Sequence, residues 1–379
     1  MFLKENLSKH WNRLQHKLFP EIENVLGPLS EKHITLITVL ETVQIGAYLP
    51  YPHGYVGRPC AERAAVARAF IAKAIYNLPT TRLLIDLLEG DVRLRRLCGW
   101  ECRVHVPKEW TFSRAFAEFA ETQLPAQLHE ALIKATLGTA IIGHISRDGT
   151  AIEAREKPVH TPKPEKIKKK LGRPRKGEAA TPPKPGPIQQ QMTMKSLEEM
   201  LAALPGHCNV GSKCNASGYK ESWTGYGFHI DTADGDIPVS AILTSASMHD
   251  SRAAIPLAIM TSQRVTSLYD LMDAAYDDPN IRQKSIDLGH IPIIDINPRR
   301  NAALAAEIER ETKAKNKLNF QTAEDVRYNQ RSSAERVNSN LKDNFGGRHV
   351  RVRGHAKVYT HVMFGLLSIT ALQLMRLVT

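Results

Sequence analysis

Residues 328–342 read YNQRSSAERVNSNLK, and their spacing decides the fold. Tyr328, Arg331, Glu335 and Lys342 follow the order Tyr, two residues, Arg, three residues, Glu, six residues, Lys. The pattern around them predicts a helix over about Ala323–Asn344. At about 100° per residue, the four side chains point within roughly 60° of one another. One helix face then presents an aromatic ring, two cations and a carboxylate. A solvated helix laced with i,i+4 ion pairs carries similar residues. With residue frequencies of about 5%, however, this four-residue pattern arises by chance in roughly 0.002 of chains this long. A carboxylate flanked by cations suits a metal held against DNA phosphate. Arg331 and Lys342 can grip the backbone, and Tyr328 can stack on or hydrogen-bond to a distorted end.

Strand patterns precede that helix. Ala140–Ser146, Trp223–Asp231, Ile237–Ser245, Ser267–Met272 and Ile291–Ile296 are β-rich runs. Helices are expected around Ser251–Thr261, Asn280–Gly289 and Ala356–Val378. The order is three strands, helix, strand, helix, strand, helix, helix. It describes an α/β domain with a mixed five-stranded sheet and flanking helices, the element order of an RNase H-like fold. Asp148 follows the first strand in Ser146-Arg147-Asp148-Gly149-Thr150, and Asp273 follows a later one in Leu271-Met272-Asp273-Ala274-Ala275-Tyr276-Asp277. Ends of neighbouring strands are a natural place to gather a site. An Asp after a strand also serves as a turn residue or helix cap, and Asp250 is read as the cap of the helix that follows it. Asp148, Asp273 and Glu335 together can hold two Mg²⁺ ions about 4 Å apart.

The first 139 residues read as helical, with segments near Glu31–Gln44, Glu62–Tyr76, Thr80–Leu88, Thr111–Ala120 and Pro125–Thr136. Thr80 suits an N-cap. Short helices joined by tight turns suit a helix-turn-helix-like bundle for DNA binding or oligomerisation, or a helical scaffold that touches no DNA. The expected division is a helical N-terminal domain over 1–139 and a catalytic domain over 140–379.

The 379 residues carry a net charge of +12. Such an excess points to a polyanionic partner, nucleic acid or an anionic membrane surface. Residues Arg155 to Lys195 hold 12 Lys/Arg against 3 Asp/Glu, with eight of the 22 prolines. A flexible basic loop is expected there, at about 155–200. Inside it, Lys170-Leu171-Gly172-Arg173-Pro174-Arg175-Lys176 resembles an AT-hook, in which Arg173, Arg175 and Lys176 would contact DNA; a solvated run with nonspecific phosphate affinity is the alternative. No apolar run approaches the ~20 residues of a bilayer span, and Met1–Trp11 is no signal peptide. A cytoplasmic, DNA-associated protein without membrane attachment is expected. Cys60, Cys98, Cys102, Cys208 and Cys214 suit free thiols better than a disulfide framework. Cys98, Cys102, Cys208 and Cys214, with His207, leave a structural zinc site open.

The Tyr328/Arg331/Glu335/Lys342 spacing resembles the signature of DDE-type insertion-sequence transposases of the bacterial cut-and-paste group. Asp273-Ala274-Ala275-Tyr276-Asp277 resembles their second-carboxylate motif, with Ala275 where Gly is expected and Asp277 as the other candidate. Ser217–Tyr226 and Met248-His249-Asp250-Ser251 resemble segments around their second and third strands, and Gly57-Arg58-Pro59 their N-terminal domain. The basic loop is long for the family. The resemblance implies an RNase H-like core and a triad of Asp148, Asp273 and Glu335 binding Mg²⁺, with Mn²⁺ able to substitute. Tyr328, Arg331 and Lys342 would contact the DNA ends. It further implies binding of terminal inverted repeats, cleavage and strand transfer on double-stranded DNA, and a homodimer in the synaptic complex. A noncatalytic regulator derived from a transposase, or a nuclease that cuts without joining, would share these motifs.

Overall fold

The computed structural model describes residues 2–49, 62–159, 185–214 and 218–379. Gly57-Arg58-Pro59, Cys60 and the AT-hook-like segment with Arg173, Arg175 and Lys176 lie outside the described residues.

The centre is a mixed sheet of β1 (Ile141–Glu153), β2 (Asn209–Cys214), β3 (Lys220–Ala233), β4 (Ile237–Ser245), β5 (Thr266–Met272) and β6 (Ile291–Ile294). The order is β2-β3-β1-β5-β6, with β4 also paired to β3. β3 runs antiparallel to β1, β2 and β4, whereas β5 lies parallel to both β1 and β6. All five expected strands are present, and the arrangement is an RNase H-like core. The short polar β2 (NVGSKC) adds a sixth strand that the sequence pattern did not reveal. β4 follows β3 through a tight turn in which Gly235 and Asp236 take positive φ, the left-handed geometry that Gly and Asp tolerate. Every residue of β4 is buried, as an apolar run in a sheet covered on both faces should be.

β1 is longer than expected. It runs on past Ser146, so Asp148 lies within the strand, paired with Ile230 of β3, and not after its end. β3 continues far enough to supply hydrogen bonds to this extension, which explains why the weakly apolar RDGTAIE stretch is still a strand.

Helices flank the sheet. Ser251–Ser262 and Pro279–Asp287 connect β4 to β5 and β5 to β6. The expected Ala323–Asn344 helix is divided: Ala323–Tyr328 and Ser332–Asn344 are α-helical, joined by a tighter 3₁₀ turn at Asn329–Arg331. The backbone stays right-handed helical at Tyr328, Asn329, Arg331 and Ser332. Ala302–Leu318 forms a further helix that buries none of its residues. Residues 185–202, expected to belong to a flexible insertion, instead form two short helices, Pro187–Gln191 and Leu197–Ala202. Met200 is buried there against Ala254, Ile255 and Tyr276, with Ile188, Met192 and Met194 packed alongside. Four apolar side chains packed in this stretch offset its ordering entropy.

The N-terminal helices occur close to their expected positions. Thr80 caps Thr81–Gly90 by accepting the Leu83 N–H at 3.2 Å. Phe70 meets Phe112, Phe116, Phe119 and Phe364 at its ring faces and edges. Phe364 belongs to the C-terminal helix His355–Arg376, which also packs Val362, Leu366 and Ile369 against the sheet. One helix thus serves both cores. Among the described residues it alone is long and apolar enough to cross a membrane, yet 83% of its most apolar window is buried. Cys98 belongs to the helical core and Cys208 to the sheet core.

Candidate active site

Pairing between β1 and β5 ends at Ser146 with Leu271. β5 stops one residue later, whereas β1 continues to Glu153. A notch therefore opens beside the middle of β1, and the register that closed at Leu271 brings Asp273 level with Asp148. Asp273 leaves β5 as the cap of a 3₁₀ turn, its Oδ1 accepting the Ala275 N–H at 2.9 Å. Burial and the neighbouring Asp273 push the Asp148 carboxyl up to about 6. Burial also raises Asp273, although the Ala275 N–H and Arg331 oppose it. Two carboxylates crowded out of water disfavour each other's charge, and a cation between them relieves both.

The helix Ser332–Asn344 closes the notch. Its Asn338 donates from Nδ2 to Asp148 Oδ2 at 2.9 Å. Glu335 stands one turn earlier, about 4.5 Å along the axis, and its Oε1 accepts from Arg331 at 2.6 Å. Arg331 is three-quarters buried, its guanidinium 5.7 Å from the centre of the Tyr328 ring, and it acts on Asp148, Asp273 and Glu335 alike. The register thus brings Asp148 and Asp273 within electrostatic reach of each other, and Arg331, paired with Glu335, acts on both. No three His, Cys, Asp or Glu side chains are already arranged around a common point among the described residues.

Tyr328 donates its hydroxyl to Asp295, which directly follows β6. Lys342 lies two turns beyond Glu335, about 10 Å along the helix. It is away from the carboxylates and near Lys213 and Arg348, whose charges join burial in lowering its pKa. This basic group at the far end of the helix suits a DNA backbone. Asp277, the other candidate for the second carboxylate, is committed elsewhere: it pairs with Arg282 at 3.0 Å and accepts the Asn297 N–H at 3.0 Å.

A buried polar layer underlies the notch. Arg147 makes two 2.7 Å bonds to Asp231 on β3 and reaches Met272 on β5, while Thr261 donates to Asp231 at 2.6 Å. Charge pairing of this kind makes a displaced strand costly, since a buried unpaired charge would result. The register that aligns Asp148 with Asp273 is fixed from below.

Sequence reasoning missed Asn338, Asp295, His229 and the Tyr276 hydroxyl. Asn338, three residues after Glu335, shares its face and could have been read from helical spacing. The reading of Asp250 as a helix cap needs correction. It occupies the N-cap position of Ser251–Ser262, but its carboxylate makes no capping bond. His249 performs that role instead, its Nδ1 2.8 Å from Ser251 Oγ and 3.3 Å from the Ser251 N–H.

Residues 204–371 match a family described as the transposase DDE domain, and residues 38–118 match a second described as a transposase domain. Both matches are to transposase families, the first of the DDE type, and together they support a DDE-type insertion-sequence transposase. The chain is similar to probable transposases for the insertion sequence element ISH11 from two strains of Halobacterium salinarum. Each is 25% identical over 167 residues, 42% of this chain and 51% of the relative. The aligned stretch thus spans about half the length of these curated relatives. No solved structure matches. The DDE-domain match includes Asp273 and Glu335 but begins after β1. Asp148 rests on its place in the notch.

Proposed function

We propose that this chain is an active transposase that binds the terminal inverted repeats of its own element, cleaves the DNA there and joins the freed ends to a target duplex. The observation that carries this reading is the meeting of Asp148 and Asp273 at the end of β5, beneath a helix that carries Glu335 and Arg331.

The donor set fits Mg²⁺, with Mn²⁺ as a substitute. Asp148, Asp273 and Glu335 offer oxygen ligands only, the type such ions prefer. The Asp148 carboxyl is raised, as expected where negative charge is crowded and under-compensated. Bound there, the metal would activate an attacking oxygen and stabilise a leaving one. The chain's own residues do the rest. Asn338 holds one oxygen of Asp148 in place. Arg331 releases Glu335 towards the other carboxylates and turns its guanidinium to the scissile phosphate. Tyr328 and the Lys342 group grip the DNA on either side, so that a 3′-OH freed in the first step is held in line for attack on the target. Arg173, Arg175 and Lys176 add phosphate or minor-groove contacts. Two copies of the chain would pair the two ends in a synaptic complex.

The test is Mg²⁺-dependent cleavage and joining of a duplex that carries the gene's own flanking ends, comparing wild type with Glu335→Gln. Wild type should cut at the end and transfer it, whereas the variant should bind equally and lose at least about 10³-fold in cutting. Binding without cutting by wild type in either Mg²⁺ or Mn²⁺ would favour a noncatalytic regulator. Cutting without joining would favour a nuclease, and equal cutting by both proteins would remove Glu335 from the site.

A further inference from the structure

A third aspartate reaches the notch from the opposite face of the sheet. Gly149 follows Asp148 on β1, and its side faces the Ser251–Ser262 helix. A Cβ placed on Gly149 would stand 3.1 Å from the Asp250 carboxyl carbon and 2.9 Å from His229 Nδ1. Asp250 therefore lies against the β1 backbone directly beside Asp148. It makes no capping bond to its own helix. It contributes to raising both Asp148 and Asp273, so its charge is felt at each.

A buried ring nitrogen faces this group without a hydrogen-bond partner. His229 is fully buried on β3; its Nε2 lies 2.9 Å from Thr244 Oγ1, while its Nδ1 has no hydrogen-bond partner and lies 3.7 Å from Asp250 Oδ1. Burial lowers its pKa, opposed by Asp250. Its Nε2 shares a hydrogen bond with the Thr244 hydroxyl, which leaves Nδ1 as the ring atom facing Asp250. The Tyr276 hydroxyl, four residues after Met272 at the end of β5, is also buried and without a hydrogen-bond partner. A carboxylate without a capping bond, next to the strand that carries Asp148 and faced by a buried ring nitrogen that lacks a hydrogen-bond partner, offers the oxygen type a divalent cation prefers.

We propose that Asp250 is a fourth carboxylate of the divalent-metal site, approaching from the helix side of the sheet, and that His229 is the positioning residue that holds it. This rests on the metal site assigned above to Asp148 and Asp273. Asp250 supplies a ligand, direct or through a bound water, on the side of Asp148 away from Glu335. Gly149 leaves room for that approach, because any larger residue would push Asp250 and His229 away.

Binding of Mn²⁺ alone to the full chain, followed by electron paramagnetic resonance and calorimetry, tests the assignment without reference to cutting. Asp250→Asn should weaken Mn²⁺ binding about ten- to hundred-fold with an unchanged or higher melting temperature, since a repelling charge is removed. His229→Gln should weaken it less, and adding it to Asp250→Asn should cause no further loss. Mn²⁺ affinity and stoichiometry in Asp250→Asn equal to wild type would overturn the proposal. Radical cleavage of the wild-type backbone by bound Fe²⁺ gives a readout that needs no variant to fold: cuts are expected near residues 148, 249–251 and 273. Cuts at 148 and 273 without 249–251 would overturn the role of Asp250 and leave the proposed metal site standing. Localised cuts at none of the three would overturn both.

Discussion

Asn338 shows how much a single amide can decide at this site. Its side chain is 5% exposed, donates to Asp148 and leaves Oδ1 buried without a partner. An amide in that place fixes the orientation of a carboxylate without adding charge, whereas an aspartate would add a further repelling group. Asn338→Ala is expected to lower DNA cleavage about ten-fold and leave binding of the DNA ends unchanged. The lost hydrogen bond should cost about 1–2 kcal/mol of stability by urea unfolding. Unaltered cleavage would mean that Asp148 is held by the strand alone. The legibility of such residues follows from locality. Tyr328, Arg331 and Glu335 share one short helical stretch, so their spacing is visible in the chain. His229 and Asp250 meet only because β3 pairs with β1 and β4 leads into a helix that returns over the sheet, and no spacing records this. Asp250 shows the trap: its position before a helix is that of a cap, but His249 had already satisfied the helix end.

Among the elements, the ones legible in the sequence are those with a buried face. β4 is buried throughout and the C-terminal helix over most of its length, and each appears within two residues of its expected bounds. β2 was not visible, because NVGSKC has no apolar alternation and is stabilised by pairing with β3. Ala302–Leu318 escaped for the same reason, since none of its residues is buried. It stands between β6 and the Tyr328 segment, and Lys315 ties it to Asp325 at 3.0 Å, an exposed pair that contributes little. A helix without tertiary burial opens on its own. In native-state hydrogen exchange its amides should therefore exchange at least about 100-fold faster than those of Ser332–Asn344 or Ser251–Ser262. Equal protection would show that the helix is held by contacts beyond those within one chain, such as a second copy in the proposed synaptic complex. Between β6 and the Tyr328 segment, this helix is the main element in the stretch from Asp273 to Glu335.

On the scale of the whole molecule, the C-terminal helix makes the helical and sheet regions one cooperative object, and two buried histidines record the junctions. His129, on the helix before β1, has Nε2 3.1 Å from both Pro238 O on β4 and Thr370 Oγ1 on the C-terminal helix. His361, on that same helix, has Nε2 3.0 Å from Gly346 O. Burial lowers each to about 3. An unfolded histidine titrates near 6.5, so between pH 6.5 and 3 the unfolded chain binds protons that the folded one refuses. Stability from these two groups is complete above pH 6.5 and is lost progressively as the pH falls towards 3. At pH 5 the loss is about 2 kcal/mol for each, about 4 kcal/mol together. Asp148 works in the opposite direction, its raised carboxyl favouring the folded state below pH 6, so the wild-type curve alone does not isolate the histidines. His129→Gln does, since the amide keeps a donor for Pro238 O and removes the titration. Urea unfolding at pH 7.5 and pH 5 should then show a loss smaller by about 2 kcal/mol in the variant than in wild type. If the two losses are equal, protonation of His129 is not what couples the sheet to the helical core in acid, and the shared helix carries that coupling through apolar contacts alone.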